Sequence, residues 1–334
     1  MVEFTVFKGS KEGKLVKSTV SKELGAKEVL IQVTHSGLCG TDLHFKHADM
    51  ALGHEGVGVV TEVGKDVTLV KTGERVGWGY EHSCCGHCKQ CYTGFETLCP
   101  ERAMYGYADL DQGSMATAAV WKEDFLFKIP DGLSSAEAAP LQCGGATVYN
   151  ALVQGNAKAT DKVGIIGIGG LGHLAIQYAA KMGCEVHVFS STDSKRDEAL
   201  ALGATKFYAT KGASDLSAEL GVPQIDHLLV CSSFQPNWAQ YLAIMAPRGT
   251  IYPLSVSDQD LKMPYMPLIA SALKVQGILV ASKQVHRDML EFSARHGVKP
   301  ILMEFPMTLE GAEKAFATLD KGDMRYRGVL VNES

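Results

Sequence analysis

From residue 161 onward the chain alternates short β-type runs with helix-period segments, and this alternation limits the fold more than any other feature. Residues 162–168 (KVGIIGI) form a compact apolar, β-rich run, and residues 171–182 repeat apolar side chains at the helical period. Between them Gly167, Gly169 and Gly172 make a GxGxxG. Such a pattern is weak alone, but here it follows a strand and opens a helix, the context that gives it meaning. Further strands are predicted at 185–190, 206–210, 225–232, 250–255 and 274–280, with helices such as 195–202 and 238–245 between them. Strand and helix in turn predict an α/β unit with a doubly wound parallel sheet, its ligand at the carboxyl ends of the strands.

The rest of the chain reads differently. Between residues 4 and 75 there are short β segments, among them 29–34 and 56–63, separated by glycine and polar turns. The glycine-dense stretches 53–60 and 73–79 suit close backbone packing in a small barrel, so this part is predicted to be all-β. A helix over 140–152, with Cys143 near its start, is expected to cross between domains. Residues 307–331 hold one helix (310–319) and a closing strand (327–331) that is expected to return to the first domain. At 334 residues two cores are expected: a discontinuous domain of 1–149 and 281–334, and a dinucleotide-binding domain of 150–280.

Nine cysteines do not make a disulfide framework here, because the count is odd and five of them fall between Cys84 and Cys99. Cys85, Cys88, Cys91 and Cys99 lie on a polar, turn-rich loop whose spacing lets four thiolates close a tetrahedron around zinc. Cys84 adjoins Cys85 and is an alternative first ligand; equal opening intervals favour Cys85. His82 and His87 are read as solvated loop histidines, Cys184 and Cys231 as buried free thiols. A second zinc is expected where Cys39, His54 and Cys143 meet, since two thiolates and an imidazole leave a fourth position open.

Thirty-two basic against thirty-seven acidic residues, with no basic tract, give no sign of a nucleic-acid partner. No run is apolar enough to span a membrane, and residues 1–10 lack the pattern of a signal peptide, so a cytoplasmic protein is expected. In the nucleotide turn the glycines allow close approach of a pyrophosphate to a helix N-terminus. The second strand ends in Ser190, Ser191 and Thr192, with Lys195 and Arg196 beyond, so hydroxyls and cations predict NADP(H) over NAD; Asp193 argues the other way.

Taken in order, CGTDLH (39–44), GHE (53–55), the four-cysteine loop, LQCGGATVY (141–149), GIGGLG (167–172), SSTDSK (190–195) and RYRGV (325–329) resemble the zinc-dependent medium-chain alcohol dehydrogenases, most of all their cinnamyl-alcohol-dehydrogenase-like branch. The resemblance implies a GroES-like catalytic domain beside a Rossmann domain, two zinc ions per subunit, NADP(H) and an alcohol/aldehyde substrate pair. It implies Cys39, His54 and Cys143 as catalytic zinc ligands, Glu55 as a carboxylate able to approach that metal, and Cys85, Cys88, Cys91 and Cys99 as structural ligands. Asp42 resembles the group that orients the histidine ligand, and Thr41 with His44 the proton relay. Gly167, Gly169, Gly170, Leu171 and Gly172, with Ser190, Ser191 and Lys195, resemble the cofactor site. Thr147 and Arg327 resemble nicotinamide-side and phosphate-side contacts.

One departure stands out. The stretch between His44 and Gly53 is short for the family and lacks the proline that commonly precedes GHE, which loosens any substrate analogy. Trp78 and Tyr80 stand where the family places aromatic pocket walls, with core packing an equal alternative. A homodimer is the family expectation, paired through the strand near 274–280. Two rivals remain at this level: a zinc-free quinone or enone reductase, and a non-catalytic NADPH-binding sensor.

Overall fold

A computed structural model describes residues 1–257 and 259–332. The chain forms two compact units, Met1–Ala146 with Val280–Ser334, and Thr147–Leu279.

The first unit is built on a seven-stranded mixed sheet. Its central strand, Glu28–Leu38, pairs antiparallel with Gly56–Val63, with Ala118–Lys122 and with Arg327–Val331. Val29, Ile31 and Val33 are buried along it while Gln32 is exposed, the alternation of a half-covered strand. Trp78 and Trp121 pack together inside, ring centres 5.6 Å apart. Arg327–Val331 is flanked on its other side by Leu302–Pro306, the parallel pair of this sheet. The sequence prediction of 327–331 as a closing strand is met, and the helix predicted at 310–319 spans Leu309–Asp320.

The second unit is a six-stranded parallel sheet. Its strands run Lys206–Ala209, Glu185–Ser190, Lys162–Ile166, Ile225–Val230, Met245–Pro253 and Lys274–Val275 in spatial order. This order reverses direction at Lys162–Ile166, which fixes the ligand-binding crevice at the carboxyl ends of the strands there. Val163, Ile165, Val186 and Val188 are all fully buried, because helices cover both faces of such a sheet.

Three expectations need correction, and one helix was not anticipated. The first part is not all-β: Gly40–Phe45 is helical, too short for periodicity to reveal. The helix expected at 140–152 is three pieces, namely a helix Ser135–Pro140, a π stretch Leu141–Gly145 and a helix Ala146–Gln154. Its start is set by a capping box, Ser134 Oγ accepting from Glu137 N–H and the Glu137 carboxylate from Ser134 N–H. Pro140 has no N–H to continue the helical ladder, and the wider π turn follows it. The strand expected at 274–280 stops at Val275, since Gly277 follows and Val280 has φ 49°, outside the β region. Lastly, the helix Lys283–His296 was absent from the sequence reading.

Candidate active site

Cys39 leaves the end of the central strand and opens the helix Gly40–Phe45; His54 and Glu55 lie in the turn before Gly56–Val63; Cys143 sits in the π stretch. Ligand atoms from these four residues lie within 4.8 Å of one another. Gly53 makes the turn possible: its φ is 92°, and a Cβ would lie 2.4 Å from Ser114 Oγ.

Asp42 organises the cluster while being wholly buried. Its Oδ2 accepts from Cys39 N–H at 2.8 Å, and its Oδ1 meets His54 Nδ1 at 3.2 Å and accepts from Tyr105 Oη–H at 2.8 Å. Tyr105 Oη in turn accepts from Gly53 N–H at 3.0 Å, and its ring lies 4.6 Å from that of His54. One carboxylate thus ties the backbone of one ligand to the ring of another. The other ring nitrogen, His54 Nε2, is buried with no hydrogen-bond partner. Such an orphan is costly unless something else binds it.

The buried groups share protons unequally. Cys39 is held well below the usual thiol range, first by the Cys143 thiol that hydrogen-bonds it, with burial opposing and His54 and Arg327 assisting. Cys143 is pushed well above that range, chiefly by Cys39. Burial opposes a charge on His54, yet Asp42 and the Cys39 sulfur outweigh it and raise its pKa well above the usual value. A divalent ion would displace protons from both Cys143 and His54. Glu55 is raised to about 7, by burial working against the pull of Arg327, whose guanidinium Nη2 holds both of its carboxylate oxygens.

The four-cysteine loop is a separate centre. Cys99–Cys85, Cys88–Cys91 and Cys85–Cys91 sulfurs are 3.5, 3.6 and 3.9 Å apart. Zinc–sulfur bonds of about 2.3 Å in a tetrahedron require roughly 3.8 Å, so the loop is already spaced for the ion. The backbone N–H groups of Cys85 and Glu101 reach Cys99 Sγ at 3.5 and 3.4 Å. Cys85, not Cys84, is in the group. His87 is exposed as expected, but His82 is not a solvated histidine: it is 4% exposed, bonded to Asp109 and packed on Trp121.

In the second unit the glycine turn has the space a dinucleotide needs. A Cβ at Gly172 would lie 1.9 Å from Gly167 O, so helix and turn touch there, whereas a Cβ at Gly169 would meet nothing within 4 Å. The helix Gly172–Lys181 begins without a side-chain cap; His173 N–H donates to Gly169 O at 3.2 Å and Leu174 N–H to Leu171 O at 3.1 Å, so the glycine turn itself closes the start of the helix. Lys195 Nζ donates to Ile168 O at 2.8 Å, and Asp193 is engaged by Arg196.

Residues 25–131 match the family "Alcohol dehydrogenase GroES-like domain", and residues 170–295 match "Zinc-binding dehydrogenase". An alcohol dehydrogenase of Geobacillus stearothermophilus is 34% identical over 326 residues, covering 94% of each chain. The chain belongs to the zinc-binding medium-chain alcohol dehydrogenases. The "NADP-dependent alcohol dehydrogenase C 1" of Mycolicibacterium smegmatis is 33% identical over 335 residues, 96% of this chain and 95% of that one. A cinnamyl alcohol dehydrogenase structure from Sorghum bicolor superposes with a TM-score of 0.91 at 32% identity, covering 99% of this chain and 98% of that one.

Within this dehydrogenase Thr41 is half-buried, 3.7 Å from Cys39 Sγ, and His44 is exposed one turn further along the same helix. Trp78 is core, fully buried against Trp121, while Tyr80 turns its ring edge toward His54 at 5.4 Å. Tyr105 and Ser114 were not anticipated from sequence. Ser114 Oγ meets Ser36 Oγ at 2.7 Å and accepts from Glu55 N–H at 3.2 Å. Neither has a local motif, because each acts across more than fifty residues of chain.

Proposed function

We propose that this dehydrogenase interconverts a primary alcohol and its aldehyde using NADP(H), with one zinc held by Cys39, His54 and Cys143 and a second by Cys85, Cys88, Cys91 and Cys99. The observation that carries the reading is His54 Nε2, buried without a partner within ligand range of two cysteine sulfurs. When bound, the metal supplies Lewis acidity toward a carbonyl oxygen and the reduced nicotinamide supplies the hydride.

The protein's own groups do the rest. Asp42 fixes the His54 ring and the Cys39 backbone together, so two ligands cannot drift independently. Thr41 Oγ1 holds the proton destined for the product oxygen, and His44 on the same helical face exchanges it with solvent. Glu55 is kept beside the ligands by Arg327. Arg327 Nε is buried and unpartnered, a donor for the cofactor phosphate expected of this residue. Thr147, 7% exposed, is assigned to the nicotinamide side.

NADP(H) is favoured over NAD(H) by Ser190, Ser191 and Lys195, by the engagement of Asp193 with Arg196, and by the name of the Mycolicibacterium relative. A cytoplasmic homodimer completes the reading. Lys274–Val275 is the last strand of its sheet, and Tyr265, Met266 and Ile269 are 75%, 65% and 58% exposed in the helix before it. The decisive experiment quantifies zinc per chain, then follows NADPH and NADH oxidation with aromatic and aliphatic aldehydes. Two zincs and NADPH-preferring turnover are expected; turnover without zinc in the Cys39 group overturns the reading.

A further inference from the structure

Cys143 lies on a π stretch, and its neighbour Gln142 is wholly buried. Gln142 Nε2 donates to Ala138 O at 3.0 Å, and its Oε1 meets His286 Nε2 at 2.9 Å. The strand beneath leaves no slack: a Cβ at Gly77 would lie 2.6 Å from Gln142 Nε2, and one at Gly79 2.6 Å from Gln142 O. His286 is itself immobilised, stacked on Phe127 with ring centres 3.9 Å apart and planes 7° apart. Burial, aided by Arg287, pushes His286 down to about 3, so its ring stays neutral and donates from Nε2 to the amide oxygen.

His286 belongs to the first turn of the helix Lys283–His296. Ser282 precedes that helix but its side chain makes no cap. The cap comes from far away: the buried Glu96 carboxylate accepts from Lys283 N–H. Glu96 opens the 3-10 turn Glu96–Leu98 in the four-cysteine loop, and its carbonyl accepts from Cys99 N–H at 2.9 Å.

We propose that Glu96 and His286 are positioning residues for the catalytic metal, forming a mechanical link from the four-cysteine loop through the helix start and Gln142 to Cys143. The helix is fixed at its first N–H by one end of the link and holds the π stretch in place by the other. Removing either hydrogen bond loosens the grip on Gln142 from the helix side, leaving only Ala138 O and the Gly77–Gly79 backbone to hold it, and with it the sulfur of the next residue. The effect falls on one zinc site and spares the other. This inference rests on zinc being held by Cys39, His54 and Cys143.

The test is zinc release from the zinc-loaded protein into excess 4-(2-pyridylazo)resorcinol, with the catalytic phase identified as the one missing in His54→Ala. In His286→Leu the catalytic phase should accelerate about tenfold or more, the size of effect usual for groups that support a metal ligand. The loop phase should change less than twofold. His286→Gln, which keeps a donor at similar reach, should return the rate toward wild type. Glu96→Leu should accelerate the catalytic phase by a smaller factor, and stands in if His286→Leu does not fold. An unchanged catalytic phase in a folded variant overturns the link, as does equal acceleration of both phases, which is general loosening. If wild type lacks the catalytic phase altogether, it is the zinc reading that fails, and the link falls with it.

Discussion

The two candidate metal-binding groups of this dehydrogenase are built on opposite plans. The four-cysteine loop gathers its ligands within residues 85–99, on short turns, and backbone N–H groups point at its sulfurs. The Cys39–His54–Cys143 group draws on three separated stretches and on a buried carboxylate, a tyrosine and an arginine that hold no metal themselves. Local ligands can close around an ion with little fold beneath them, and the ion's binding energy then becomes folding energy. Distant ligands need the fold first, and a set of three would leave the fourth position of a tetrahedral ion open.

Three measurements would break or sharpen this contrast. The largest effect belongs to the distant group: His54→Ala should cut kcat/KM for an aldehyde by about 1,000-fold or more, the loss of several kcal/mol of Lewis-acid stabilisation. Zinc should fall from two to one per chain and NADPH affinity stay within about threefold, by fluorescence titration. Near-normal turnover would erase the distinction. Cys88→Ser in the loop should instead lower Tm by roughly 5–10 °C, since a change of a few kcal/mol moves a domain of this size by a few degrees each. Its turnover, assayed in excess zinc, should change far less than that of His54→Ala; equal losses would mean that both ions serve the chemistry.

The smallest effect lies at the border of the loop, where Glu81 is raised to about 8 by burial first and Glu96 second. A carboxyl raised in the folded state contributes stability fully below its unfolded pKa and loses it as pH rises through the folded value. Wild-type stability should therefore decline between about pH 4.5 and 8 from this group. Glu81→Gln should flatten that decline, seen as a Tm difference from wild type that grows toward pH 8. A difference independent of pH would remove Glu81 as its source.

The same contrast explains what the sequence made legible. The four cysteines are visible because their spacing is itself the geometry, and the alternation after residue 161 is visible because each strand and helix is long enough to carry a period. The glycine turn at 167–172 was readable for the same reason. Cys39, His54, Cys143 and the carboxylate Asp42 carry short motifs, and the structure brings them together, but Tyr105 and Ser114 carry none. Tyr105 reaches Asp42 across 63 residues, and His286 reaches Gln142 across 144. Only tertiary packing brings such pairs together. His82 was misread because a histidine beside a polar loop looks solvated until Trp121 and Asp109 are seen to enclose it. The helix Gly40–Phe45 escaped notice because six residues do not display a period.

The strand Glu28–Leu38, which leads into Cys39, is held along its final residues by Arg327–Val331, with Gly328 opposite Leu38 and Val329 opposite Gly37. A chain emerging from the ribosome therefore finishes its four-cysteine loop long before it can finish the other group. On the proposed reading, an ion in the loop could be captured during synthesis, while one in the other group would have a settled home only once Arg327–Val331 had been made and paired.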